Sequence, residues 1–351
     1  MNPRTSGLPP REGGQKKKTG RPQGGKKKAR KGRAFLKFLL TLVILALLVV
    51  GGYFGFLYWK VNQVIDTAGN SNPVPAERSA KVKPLSVLLM GTDYRPETGT
   101  HLTDVMMVIA FNPETKSATI VSLPRDTRFK AKGYGTGKIN SFYPNILSET
   151  KDPVQAGDTM KKLMGDYFDL ELDYVTVLNF QGFRDVVDAL KGVDVTVDMN
   201  MCYRDKADGT DINLKKGPAH LDGKEALDYV RYRKSNCKPK TKGSDDFDRN
   251  RRQNEVLHAL IDKAKSFNGV VGAADVIEAV GKNMDTDFES EQLKDMIATY
   301  WNISKENVHF MPVTGEWKSP YVYINDDQLT KAKKALQDEM AGRAATQAVT
   351  N

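Results

Sequence analysis

Arginines recur in this chain beside the places where the sequence predicts elements to begin or end. Arg95 follows a first apolar run in GTDYR, Arg125 and Arg128 sit in SLPRDTR, and Arg231 and Arg233 lie two apart in VRYRK. Arg249 and Arg252, with Gln253, open a later helical stretch. A planar guanidinium fork engages phosphate oxygens multidentately, which a lysine point charge does not. Gathered together, these side chains suit a pyrophosphate or another polyanion; taken singly, each is equally a surface ion pair of little worth. Asp93 and Asp104 stand near the arginines in sequence. Paired carboxylates can share a Mg2+ with phosphate oxygens, or one can take a proton from an attacking hydroxyl. Loop aspartates also serve as plain turn formers. None of the four histidines stands in a Ser/His/Asp setting, and there is neither a glycine-rich phosphate loop nor zinc-type Cys/His spacing.

The element that best organises these residues is DFDRNRRQNEVLHALIDKA, residues 246–264. Its apolar positions Val256, Leu257, Leu260, Ile261 and Ala264 recur at helical spacing. Stepping back by fours continues that face into Arg252, Gln253 and Arg249, and leaves Arg251 outside. Asp246 or Asp248 can cap the start. Inward arginines need an anion, supplied either by internal Asp/Glu or by a ligand.

Strands are expected at Leu85–Gly91, Thr103–Phe111 and Ser117–Pro124, each nearly continuously apolar, as in a sheet covered on both faces. Asp93 then falls at a strand's C-terminal end, where ligands gather in open α/β sheets. A helix follows Pro153, a strand spans Asp173–Phe180, a helix spans Gln181–Leu190, and GVDVTVD reads as a strand. Asp222 to Glu225 has capping-box spacing ahead of a short helix. Helices near 290–300 and 327–340 flank the strand VHFMPV. This interleaving predicts an α/β fold, three layers α/β/α, around a central mixed sheet.

The net charge of +10 belongs to one end: residues 1–37 hold thirteen Lys/Arg and one acid, leaving 40 basic against 42 acidic residues elsewhere. Its composition predicts a disordered tail at 1–37. Residues 38–59 contain no charge and suit a bilayer's hydrocarbon core, with Tyr53, Tyr58 and Trp59 toward one end. The positive-inside rule puts the tail in the cytoplasm and the remainder outside, anchored by a single transmembrane helix. The tail then attracts anionic lipid rather than nucleic acid. Residues 60–83 read as an extracellular linker, 84–340 as the folded domain and 341–351 as a disordered C-terminal tail. Cys202 and Cys237 are the only cysteines. In an oxidising compartment a disulfide is the leading reading, with two buried thiols as the alternative.

The stretches VLLMGTDYR, LTDVMMV, SLPRDT, KIN, HLDGKEALDYVRYRK and DFDRNRRQ, in that order, resemble the LytR–CpsA–Psr phosphotransferases of the bacterial cell envelope. The resemblance implies an α/β/α domain enclosing an apolar pocket for a polyprenyl chain, with an arginine-lined mouth for the pyrophosphate. It implies transfer of a glycopolymer from its polyprenyl-pyrophosphate carrier onto peptidoglycan or a surface protein, at the outer face of the plasma membrane, with Mg2+ as cofactor and a pyrophosphatase side activity. Residue by residue it assigns the metal to Asp93 and Asp104, and phosphate contacts to Arg125, Arg231, Arg233 and Arg249, with Gln253 as the family glutamine. Arg95, Arg128 and Arg252 are added from their positions, and Asp93, Asp104 and Arg125 form the catalytic set. Many members carry an arginine where Leu102 stands; either Arg95 or His101 supplies that contact here, or it is missing. A non-catalytic regulator or polymer binder would use the same cleft without turnover.

Overall fold

The computed structural model describes residues 69–95, 100–206, 209–266 and 283–343, together with parts of 52–67 and 276–281. The chain forms two units, 1–55 and 56–351; only Gly52 and Gly55 of the first are described. Most of the expected spanning segment 38–59, the basic tail and the C-terminal residues 344–351 lie outside the described residues. Among the described residues no helix is long and apolar enough to cross a membrane.

Six strands build the central sheet: β1 (Leu85–Arg95), β2 (Thr100–Asn112), β3 (Ser117–Ser122), β4 (Tyr174–Asn179), β5 (Met284–Thr286) and β6 (Val308–Pro312). Their order is β5-β4-β1-β2-β3-β6, with β1 parallel to β4, β3 parallel to β6 and the other pairs antiparallel. The sheet is therefore mixed, as expected. The continuous apolar runs arise because both faces are covered. Leu88, Met90, Met106, Val108 and Val121 pack with helices α1 (Phe142–Thr150), α2 (Pro153–Phe168) and, later in the chain, α7 (Asp326–Met340). Met107, Ile109 and Ile120 on the opposite face meet Leu257 and Ile261.

Those two residues belong to α5 (Asp246–Ser266), which follows α3 (Phe180–Ala189) and α4 (Gly223–Arg231); α6 (Ser290–Tyr300) follows it. The Asp222–Glu225 capping box forms as its spacing requires, with Glu225 N donating to Asp222 and Asp222 N donating to Glu225. At α5 the cap is neither Asp246 nor Asp248: the Asp245 carboxylate accepts from Asp248 N at 2.8 Å, satisfying an otherwise free donor of the first turn.

The strand of GVDVTVD, Val193–Val197, does not join the central sheet. It pairs antiparallel with Gly217–Leu221, and its buried valines form a second core with α3, α4 and α5. Three further hairpins, 128–138, 201–214 and 315–324, carry no signal that the sequence reading registered. Cys202 and Cys237 are disulfide-bonded with Cα atoms 5.9 Å apart, tying the 201–214 hairpin to the segment after α4.

Candidate active site

The site begins with an irregularity between β1 and β2. Gly91 pairs with Val105 but Thr92 pairs with Thr103, so Asp104 is an extra residue opposite the Gly91–Thr92 step. Strict alternation would send Asp104 to the face occupied by Met106 and Val108. The bulge instead lets consecutive residues, Asp104 and Val105, both line one cavity. Gly91 is required there, because a Cβ at this position would lie 2.9 Å from Val105 Cβ.

Around Asp104 the arginines converge. Arg125, delivered by the turn after β3, donates from Nη1 to Asp104 Oδ1 at 2.5 Å. Arg249 Nη2 approaches the same oxygen at 3.8 Å. Arg231, the last residue of α4, faces Asp93 at 3.8 Å and stacks on Phe180 with its guanidinium carbon 4.7 Å from the ring centre. With Arg233, Lys234, Tyr203, Asp205 and Thr210 these side chains line a polar chamber of about 280 Å³. Five cations there oppose three carboxylates. The excess of positive charge reaches beyond the walls: burial works to raise the Asp126 carboxyl, but the Lys138 hydrogen bond and the nearby Arg125 and Arg233 outweigh it, leaving the group below its ordinary value.

A second chamber of about 180 Å³ adjoins the first and is almost wholly apolar. Leu89, Met107, Leu178, Phe183, Leu227 and Leu260 are among the side chains that line it. Asp104, Arg231 and Arg249 border both spaces. Gln253, one turn beyond Arg249, lies on the apolar side of that border. A molecule spanning the two would carry a compact anionic head and a long apolar tail, because a buried anion needs the arginines and a hydrocarbon does not.

The structure thus brings together Asp93, Asp104, Arg125, Arg231, Arg233, Arg249 and Gln253. It does not bring Arg252 or Arg128 to them. Arg252 is fully buried, as its helical spacing predicts, but its anion is internal: Nε and Nη2 donate to the two Asp198 oxygens at 3.1 and 3.0 Å. Arg128 is exposed on the 128–138 hairpin, over the ring of Tyr323. The side chains of Arg95 and His101 lie outside the described residues, and Leu102 borders the polar chamber half-exposed. Tyr203, Asp205 and Thr210 were not singled out from sequence; the neighbouring Cys202 was the one pointer to that hairpin.

The model of the LytR_cpsA_psr family matches residues 54–339. The chain is 30% identical to polyisoprenyl-teichoic acid–peptidoglycan teichoic acid transferase TagT of Bacillus subtilis, over 90% of this chain and 97% of the relative. Its fold is similar to the crystal structure of B. subtilis TagV, with a TM-score of 0.58, 27% identity, and coverage of 74% of this chain and 98% of the other. It is similar too to TagT with bound octaprenyl pyrophosphate lipid, with a TM-score of 0.52, 29% identity, and coverage of 74% and 92%.

Proposed function

Since the chain belongs to the LytR–CpsA–Psr family, we propose that it transfers a glycopolymer from a polyprenyl-pyrophosphate carrier to a hydroxyl of peptidoglycan. The observation that carries this reading is the border that Asp104, Arg231 and Arg249 share between the arginine-lined chamber and the apolar one. The diphosphate would lie against Arg125, Arg231, Arg233 and Arg249, with the first isoprene units among Leu89, Phe183 and Leu260.

In the reaction the acceptor oxygen bonds to the phosphorus nearest the glycan. The bond from that phosphorus to the bridging oxygen breaks, and polyprenyl phosphate departs with the electron pair. The guanidiniums are already in place where negative charge grows, so stabilising it requires little reorganisation. Asp104 or Asp93 would accept the hydroxyl proton. The two aspartates also fit a Mg2+ site: both line the polar chamber, and this ion needs only one or two carboxylates when phosphate oxygens complete its shell. When bound there, the ion supplies further neutralisation of phosphate charge. Water in place of the acceptor would give pyrophosphatase activity, and a surface-protein hydroxyl could replace the glycan hydroxyl. Residues 38–59 would anchor the chain by one span, with the basic tail in the cytoplasm and the domain at the outer face, where the lipid-linked donor is presented.

The test incubates the full chain with a polyprenyl-pyrophosphate saccharide, Mg2+ and peptidoglycan. The expected result is release of polyprenyl phosphate together with phosphodiester-linked saccharide on the acceptor. Tight donor binding with neither product would reduce the protein to a binder; absence of donor binding would remove the reading altogether.

A further inference from the structure

Outside the two chambers, exposed aromatic side chains collect on the 315–324 hairpin. The cross-strand pairs Glu316↔Tyr323 and Lys318↔Tyr321 put these four residues on one face. Tyr323 is 42% exposed, and Trp317, which points the other way, is 52% exposed. Cations accompany the rings. Arg128 lies 5.8 Å and Lys318 5.9 Å from the Tyr323 ring centre, and Lys138 lies 5.4 Å from that of Trp317. Lys318 has Glu316 as a partner and Lys138 has Asp126. Arg128 differs: its recorded contact among the described residues is the tyrosine ring, and no carboxylate of those residues lies within ion-pair distance of it. An arginine laid over a ring is held in place before any ligand arrives, and its guanidinium donors can still bond a carboxylate.

This surface sits beside the segment that supplies Arg125 to the polar chamber. Arg125 lines that chamber, and Asp126 and Thr127 lead directly from it to Arg128. The hairpin is seated against the same segment through the Thr127↔Val322 bridge and the Val322 N to Asp126 O hydrogen bond. A polymer lying across Tyr321, Tyr323 and Arg128 would therefore pass close to the position of the diphosphate.

We infer that Arg128, Tyr321 and Tyr323 form a binding platform for the acceptor, a carboxylate-bearing polysaccharide strand. Ring faces take the apolar faces of sugars, and Arg128 takes a carboxylate. This inference rests on the transferase reading and adds to it the site of the second substrate. It also gives Arg128 a partner other than the diphosphate.

The test uses the full chain in detergent with two probes: peptidoglycan sacculi stripped of attached polymers, and a short polyprenyl-pyrophosphate saccharide. Tyr323→Ala and Arg128→Gln should each weaken sedimentation with sacculi about fivefold to tenfold, the range common for truncated aromatic and arginine anchors. The acceptor KM should rise similarly while donor affinity remains within about twofold, because neither side chain borders the chambers. Tyr323→Phe should bind like the parent, and Arg128→Gln, on an exposed strand, keeps the test decisive if Tyr323→Ala does not fold. Unaltered sedimentation of Arg128→Gln with sacculi, or an unchanged acceptor KM, would overturn the platform. Failure of the parent chain to bind the donor would instead overturn the transferase reading, so the two failures are told apart.

Discussion

Arg125 and Asp104 are joined by a 2.5 Å hydrogen bond between side chains that are 12% and 10% exposed. The pair occupies the border region where the polar and apolar spaces meet. A second guanidinium, from Arg249, shares the same carboxylate oxygen. The aspartate therefore holds an arginine cluster together until an anionic ligand arrives.

Removing it should harm both catalysis and stability. Asp104→Ala is expected to lower transfer at least about tenfold, as loss of a preorganised charge partner commonly does. It should also lower the unfolding free energy by about 3 kcal/mol, because Arg125 and Arg249 both lose the buried carboxylate that they share. Inorganic pyrophosphate should then raise the melting temperature of Asp104→Ala more than that of the parent. Equal shifts, read by differential scanning fluorimetry, would contradict this account of the cluster.

Adjacent arginines on α5 should differ sharply in what they contribute to stability. Arg252 is fully buried on Asp198, whereas Arg251 is 50% exposed and bonded to the same carboxylate. Denaturant unfolding should show a loss of about 3–5 kcal/mol for Arg252→Ala and about 0–1 kcal/mol for Arg251→Ala. Acid should erase the contribution of Asp198. Burial tends to raise its pKa, but the hydrogen bond and charge of Arg252, aided by Arg251, hold it below the ordinary 3.8. A carboxyl with a lowered folded pKa stabilises above its unfolded value and loses that contribution as pH falls through the folded one. The stability gap between the parent and Asp198→Asn should be constant above about pH 5 and narrow below about pH 4. A gap that widens on acidification would be the wrong sign.

The apolar chamber can be filled from α5. Leu260→Trp puts extra volume into a space of about 180 Å³. Affinity for a donor with a long prenyl chain should fall about tenfold or more, since several buried methylenes lose their place. A donor truncated to a single isoprene should keep its affinity within about twofold, its head contacts being intact. Comparable losses for both donors would place the tail elsewhere.

The disulfide should matter to stability and to the polar chamber together. It spans a sequence separation of 35 residues, enough for about 3–4 kcal/mol on the chain-entropy view. Cys202→Ser with Cys237→Ser should lose stability of that order in denaturant unfolding. It should also raise the donor KM, because Tyr203 and Asp205 on one side and Arg233 on the other line the chamber from the two linked segments. An unchanged denaturation midpoint would rule the link out as a stabilising element.

Much of this architecture was legible from residue pattern. The five sheet strands β1, β2, β3, β4 and β6 and the helices after Pro153, Asp222 and at 246–264 follow from apolar runs and helical spacing, with the capping box at Asp222 also foreseen and the cap of α5 not, because these signals are local. The inward set on α5 was legible too, as helical spacing fixes a face. Spacing does not state which anion waits on that face, so Arg252 looked like Arg249 until the fold brought Asp198 beside it. Arg128 was misplaced for a similar reason: it is three residues from Arg125, but the chain turns at Pro124–Thr127 into a hairpin, and the Arg128 side chain lies over Tyr323 instead of lining the chamber. The bulge that aims Asp104 depends on the register between two strands, which neither strand specifies alone. Tyr203 and Asp205 lie on a polar hairpin whose alternation is weak, and only the covalent link at Cys202 marks its position.

Three side chains forming a common wall have a kinetic corollary. On the transferase reading, the carrier lipid keeps its tail in the same slot after the saccharide has gone, with one phosphate still facing Arg231 and Arg249. Spent carrier and fresh donor are then rivals for a single berth, and wherever product release limits turnover the pace of repeated cycles follows how quickly the exhausted lipid leaves it.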